Sequence, residues 1–147
     1  MKVAYVDSSI IVRYYLPDES GQIEAAAIID DPDTAIVTAA LTRIEVSGAL
    51  VRAARGRRVA SIQGALDRLD ADFDQGLVTM VSAAEHDVHR VALDMVRRHG
   101  IRALDAIHVA TAVLVFPALT EEGDQSVFVC RDRAQSAAAV ELGLTLG

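Results

Sequence analysis

The 147-residue chain predicts an α/β fold, a three-layer α/β/α sandwich with a central parallel sheet. Two observations carry that expectation. Short strand-like runs alternate with helical segments throughout, and the two-residue Gly- or Asn-containing turns that mark hairpins are scarce. The length adds a third constraint: it suits one domain with a real core, and no repeat, linker or low-complexity stretch divides it, so a single domain over 1–147 is expected.

The elements follow in order. Residues 2–6 form a β-branched run ending at Asp7, a candidate central strand. Ser8 and Ser9 can cap a helix over 10–15, which Leu16-Pro17 stops. A second helix is expected over 19–29, before the turn Asp30-Asp31-Pro32-Asp33, and a strand over 35–38. Residues 40–55 have helical periodicity, with Leu41, Ile44, Gly48 and Val51 near one face and Gly56 as the stop. An amphipathic helix over 59–73 runs through Ile62, Leu66 and Leu69, followed by a strand at 77–81. A helix over 84–98 ends at Gly100, and one over 103–115 is apolar nearly all round, so it should be buried. A polar loop at 121–125 leads to a strand at 126–130, a last helix at 133–142 before Gly143, and a short closing strand at 144–146.

Composition narrows the function. Hydrophobic residues make up 52% of the chain and aromatics 4%, without Trp, so Ala, Val, Leu and Ile must build the core. The single cysteine, Cys130, rules out an internal disulfide and a thiolate zinc site, and its apolar neighbours read as packing. The first apolar run is broken by Asp7, unlike a signal peptide. The apolar stretch 106–119 contains His108 and Pro117 and is shorter than the roughly 20 residues of a membrane span. A cytoplasmic protein with no membrane contact is expected.

The net charge of -7 argues against a broad basic surface for nucleic acid. Basic residues are local instead: Arg52, Arg55, Arg57 and Arg58 form one group, Arg97, Arg98 and Arg102 another. Arg97 and Arg98 precede His99-Gly100 and suit a helix C-terminus. The first group reads equally as a solvated helix end or a contact surface.

Lys2 is the only lysine, which removes a P-loop and a Schiff base. No GxSxG provides a hydrolase nucleophile. His86 and His89 lie in a polar helix and read as solvated, whereas His108 reads as a core histidine within reach of Asp105.

Most of the 21 acids lie in turns or at polar helix ends, and four do not. Asp7 directly follows the first strand and Asp132 follows the strand that ends at Cys130, both at carboxyl ends, where α/β sheets place their functional crevice. Glu45 shares a helix face with Leu41 and Gly48, and Asp105 is the lone acid of an apolar helix. Each has a structural explanation: helix N-caps for Asp7 and Asp132, an ion pair with Arg52 for Glu45, a favourable dipole position for Asp105. If the four converge, their mutual repulsion requires compensation, and a hard cation, Mg²⁺ or Mn²⁺, suits an all-oxygen ligand set. Such a cation can also bridge an acidic pocket to a phosphodiester.

The blocks around these acids, Val-Ala-Tyr-Val-Asp7-Ser-Ser, Leu-Thr-Arg-Ile-Glu45-Val, Leu-Asp105-Ala-Ile-His-Val-Ala-Thr-Ala and Phe-Val-Cys-Arg-Asp132, resemble the four acidic blocks of the PIN domain. The likeness is closest to the VapC-type toxins of bacterial toxin–antitoxin pairs and covers residues 2–144. It implies Mg²⁺- or Mn²⁺-dependent cleavage of single-stranded RNA by metal-activated water, a homodimer, and a small antitoxin partner that occludes the site. It makes Asp7 and Asp105 the principal metal ligands, with Glu45 completing the site directly or through water. Asp132 becomes a further ligand or positions the attacking water, and Ser9 a supporting hydroxyl. Cys130 departs from the family's usual Thr or Ser two residues before the fourth acid. The alternatives left open are a catalytically degenerate domain that binds protein or RNA without cutting, and a DNA-directed or structure-specific nuclease.

Overall fold

The computed structural model describes residues 1–58 and 60–147. Four strands, β1 (Lys2–Val6), β2 (Thr34–Ala39), β3 (Thr79–Val81) and β4 (Gln125–Val129), form one all-parallel sheet in the order β3-β2-β1-β4. Among the described residues seven helices accompany it: α1 (Ser8–Tyr15), α2 (Gln22–Ile29), α3 (Leu41–Arg55), α4 (Ile62–Asp74), α5 (Glu85–His99), α6 (Ala103–Leu119) and α7 (Arg133–Glu141). The expected α/β/α architecture is present.

The alternation of side chains along β1 creates the layers. Val3 and Tyr5 face one side, where Phe128 and the buried residues of α5, α6 and α7 join them. Ala4 and Val6 face the other and pack with Val129 and the apolar residues of α1 to α4. With β1 central, its carboxyl end is flanked by those of β2 and β4.

Several boundaries differ from the sequence expectation, each for a local reason. Asp7, rather than Ser8 or Ser9, caps α1, so the helix begins two residues early. α2 starts at Gln22 because Gly21 adopts a left-handed φ of 89° ahead of it. α4 starts at Ile62, where the Ser61 hydroxyl accepts from the Gly64 amide at 3.2 Å; Val59, expected to open this helix, lies outside the described residues. α6 runs past Val115 through Pro117 to Leu119, and Thr120 closes it with both its amide and its hydroxyl on the Phe116 carbonyl. β3 is only three residues long, and the closing strand is reduced to one parallel bridge between Phe128 and Leu146.

The buried face of α3 also differs. Thr42, Val46, Leu50 and Ala53 turn inward, while Ile44 is 76% exposed. Thr42 can be buried because its hydroxyl pairs with that of Thr38 at 2.7 Å, and Thr38 in turn lies 2.7 Å from the Val6 carbonyl. Among the described residues no helix is long and apolar enough to cross a membrane.

Two expectations follow for stability. Leu50 is fully buried, so Leu50→Ala should cost about 2–5 kcal/mol in urea unfolding. Tyr15 donates to Asp72 Oδ2 at 2.8 Å, joining α1 to α4, and burial followed by that carboxylate pushes its phenol well above the ordinary value. The folded chain then keeps a proton that the unfolded chain releases above pH about 10. Stability should therefore fall as pH rises through that value, and Tyr15→Phe should make the fall shallower.

Candidate active site

Asp7 is placed by the end of the central strand. Its backbone amide donates to the Val129 carbonyl at 2.9 Å, tying the ends of β1 and β4 together. Its side chain turns back to cap α1, accepting from the Ser9 amide at 3.0 Å through Oδ2. The other oxygen accepts from Gln135 Nε2 at 3.1 Å, and the residue is only 3% exposed. A carboxylate so enclosed relies on these donors.

Asp132 is exposed and caps α7, its Oδ1 accepting from the Gln135 amide at 2.8 Å. Asp105 lies in the first turn of α6, the helix that leads back to the start of β4, so its N-terminus reaches the carboxyl ends of the strands. Arg102 Nε donates to Asp105 Oδ2 at 2.8 Å, with the carboxylate side chain 14% and the arginine 80% exposed. Glu45, near the start of α3, lies 2.8 Å through Oε2 from His108 Nε2, not in a pair with Arg52.

His108 joins the two layers at this edge. It is buried on α6, with Nδ1 3.0 Å from the Tyr5 hydroxyl and Nε2 3.6 Å from Asp7 Oδ1. An ionised carboxylate can only accept, so Nε2 donates to Glu45, while Nδ1 stays within hydrogen-bond distance of the Tyr5 hydroxyl. Its reading as a core histidine is sound, but the same ring also fixes two site residues.

All four sequence-selected acids, from four different segments of the chain, line one pocket of about 550 Å³. Each structural explanation for Asp7, Asp105 and Asp132 is also realised, so cap or dipole and convergence coexist at the same residues. Ser8, Ser9, Arg13, Arg102, Arg131 and Gln135 share the lining.

Carboxylate oxygens are the ligand type that a hard cation selects. Among the described residues the Ser9 hydroxyl, buried beside Asp7, has no hydrogen-bond partner, which leaves a polar atom available to an ion or its water. Against this, among the described residues no three His, Cys, Asp or Glu side chains stand close enough to hold one ion together. The reason is local: Asp105 turns to Arg102 and Glu45 to His108. Only the first is an exposed ion pair, of the kind worth about 0–1 kcal/mol, so its release costs little. The residues fit a hard cation in chemistry.

Burial raises the pKa of the Cys130 thiol, which disfavours the thiolate form. Its sulfur lies 3.2 Å from the Ser136 hydroxyl, and that hydroxyl donates to the Asp132 carbonyl at 2.9 Å. Ser136 thus supplies a hydroxyl beside Asp132 from α7.

Sequence reasoning missed Gln135, Arg13 and Arg131. Gln135 is 1% exposed, and its place on the inward face with Ala138 and Ala139 was the available signal. The basic groups singled out from sequence contribute only Arg102 to the pocket; Arg58 pairs with Asp18 and Glu19, and Arg98 with Asp94 and Glu141.

No curated protein matches the chain. The PIN domain family does, over residues 4–141. PIN domains are in general metal-dependent nucleases, which supports a hydrolase of phosphodiester bonds. The match takes in all four acids, strands β2 to β4 and all but the first two residues of β1, and the chain belongs to the PIN domain family.

Proposed function

We propose that the chain is a Mg²⁺- or Mn²⁺-dependent endoribonuclease, the toxin of a toxin–antitoxin pair. The observation that carries the nuclease reading is the opening of Asp7, Glu45, Asp105 and Asp132 into one pocket at the carboxyl edge of the sheet. The toxin role, the RNA substrate, a homodimer and a small antitoxin that covers the pocket rest on the resemblance of the acidic blocks to VapC-type toxins.

Asp7 and Asp105 would be the principal ligands of the cation, with Glu45 and Asp132 completing the site. A divalent ion there supplies countercharge, lowers the pKa of water and stabilises the charge of an in-line displacement. The chain's own residues prepare that chemistry. Gln135 and the Ser9 amide hold the Asp7 carboxylate from both oxygens, and so fix its orientation. His108, itself braced by Tyr5, holds Glu45 at the pocket wall. Asp132, exposed and anchored through one oxygen, keeps the other free to orient an attacking water. Attack opposite the 3′ oxygen leaves a 5′-phosphate and a 3′-hydroxyl.

The Arg102–Asp105 pair and the absence of a three-residue ligand cluster among the described residues favour a second reading, a domain that binds RNA or protein without cutting.

Purified protein, freed of any partner, should cleave single-stranded RNA with Mg²⁺ or Mn²⁺ and stop when chelator is added. Asp7→Asn should lower the rate by about 100-fold or more, the scale of losing a key electrostatic group. Turnover that survives both treatments would falsify the metal mechanism, and tight RNA binding without turnover would establish the second reading. Single-stranded DNA and a DNA flap, assayed in parallel, separate a ribonuclease from a DNA-directed or structure-specific enzyme.

A further inference from the structure

Arg13 and Arg131 reach the same point from distant parts of the chain. Arg13 Nε and Arg131 Nη1 each donate to the Ser20 carbonyl oxygen at 2.9 Å. Two guanidinium groups on one carbonyl place like charges side by side, an arrangement that a nearby anion offsets. Among the described residues neither arginine forms an ion pair with a carboxylate, although acids outnumber basic residues 21 to 14.

Their surroundings are built rather than incidental. Arg13 Nη1 also donates to the Ser9 carbonyl, bracing its guanidinium on α1. The Arg131 guanidinium lies over Gly21, whose left-handed backbone has no Cβ; a Cβ there would collide with Arg131 Nη1. Both arginines line the acidic pocket, Arg131 next to Asp132 in sequence. Arg102, on the same wall, is engaged by Asp105, whereas these two are held by a neutral carbonyl. A carbonyl leaves the remaining guanidinium protons and the full charge available.

We propose that Arg13 and Arg131, seated on the Ser20 carbonyl and the bare Gly21 backbone, form a clamp for a backbone phosphate of a single-stranded nucleic acid. The clamp deepens the nuclease reading and rests on it: the carboxylates take the phosphodiester to be cut, and the arginine pair holds a neighbouring phosphate of the same strand. It also resolves the conflict between a net charge of -7 and a polyanionic ligand, because the cations that matter are concentrated at the pocket. Planar guanidinium forks suit phosphate oxygens, with specificity for the backbone rather than for any base.

The experiment measures binding of a labelled single-stranded oligoribonucleotide by fluorescence anisotropy with chelator present, against salt concentration. KM and kcat are measured with Mn²⁺. Arg131→Ala should weaken binding and raise KM about tenfold, the scale of one charge-assisted hydrogen bond, while kcat changes little. The slope of log affinity against log salt should shrink by about 0.7 for each phosphate that the variant no longer neutralises. Because Arg13 also braces α1, Arg13→Lys with Arg131→Lys serves as the second variant; it keeps both charges and should retain the salt slope.

Unchanged affinity and slope in Arg131→Ala overturn the clamp, as does failure of the wild-type protein to bind the oligoribonucleotide. An acidic peptide that displaces the RNA at equal concentration also overturns it, in favour of a protein ligand. The nuclease reading fails separately, if the wild-type protein binds RNA in an Arg131-dependent manner yet never cleaves it with Mn²⁺.

Discussion

A carboxylate buried at the end of a central strand is the constraint on which the site depends. Asp7 stands where β1 ends, and its oxygens are held by the Ser9 amide and the Gln135 side chain. Taking an ionised carboxylate out of water is costly unless hydrogen bonds or a counterion replace the solvent. Here two neutral donors do part of that work, and one of them comes from α7, far along the chain. The junction of β1, α1, β4 and α7 is therefore held by the same contacts that orient the carboxylate, which couples the fold to the chemistry.

The remaining acids are held in graded ways. Glu45 is fixed through His108, which is braced by Tyr5 from the middle of the sheet. Asp132 is anchored through one oxygen, and Asp105 only by an exposed arginine. One wall of the pocket is thus rigid and the other exchangeable. A cation entering such a pocket would meet two held carboxylates, Asp7 and Glu45, and two that can adjust, while the guanidinium groups at Ser20 offer a strand its countercharge beside the acids.

The layer order was legible because it depends on local pattern, and local pattern also singled out the four acids that line the pocket, though not their convergence. Strand runs divided by helices dictate a parallel sheet, and the rule that function gathers at strand carboxyl ends selects Asp7 and Asp132. The rest was hidden by tertiary choices. The partner of Glu45 is His108, 63 residues away, rather than Arg52 on its own helix. The inward face of α3 was misjudged because a paired threonine, Thr42, is buried while Ile44 stays in solvent. Arg13 and Arg131 meet across 118 positions only because β1 and β4 are neighbours, and no sequence spacing announces that meeting.

Whether a divalent cation completes the acidic pocket can be read from thermal unfolding. With Mn²⁺ at about 100 times its dissociation constant, ligand linkage gives roughly 2.7 kcal/mol. For a chain of this size that corresponds to a midpoint raised by roughly 5–10 °C. The wild-type protein should show this shift and Asp105→Asn should lose it. A wild-type midpoint indifferent to Mn²⁺, or an equal rise in the variant, would contradict a pocket completed by the cation.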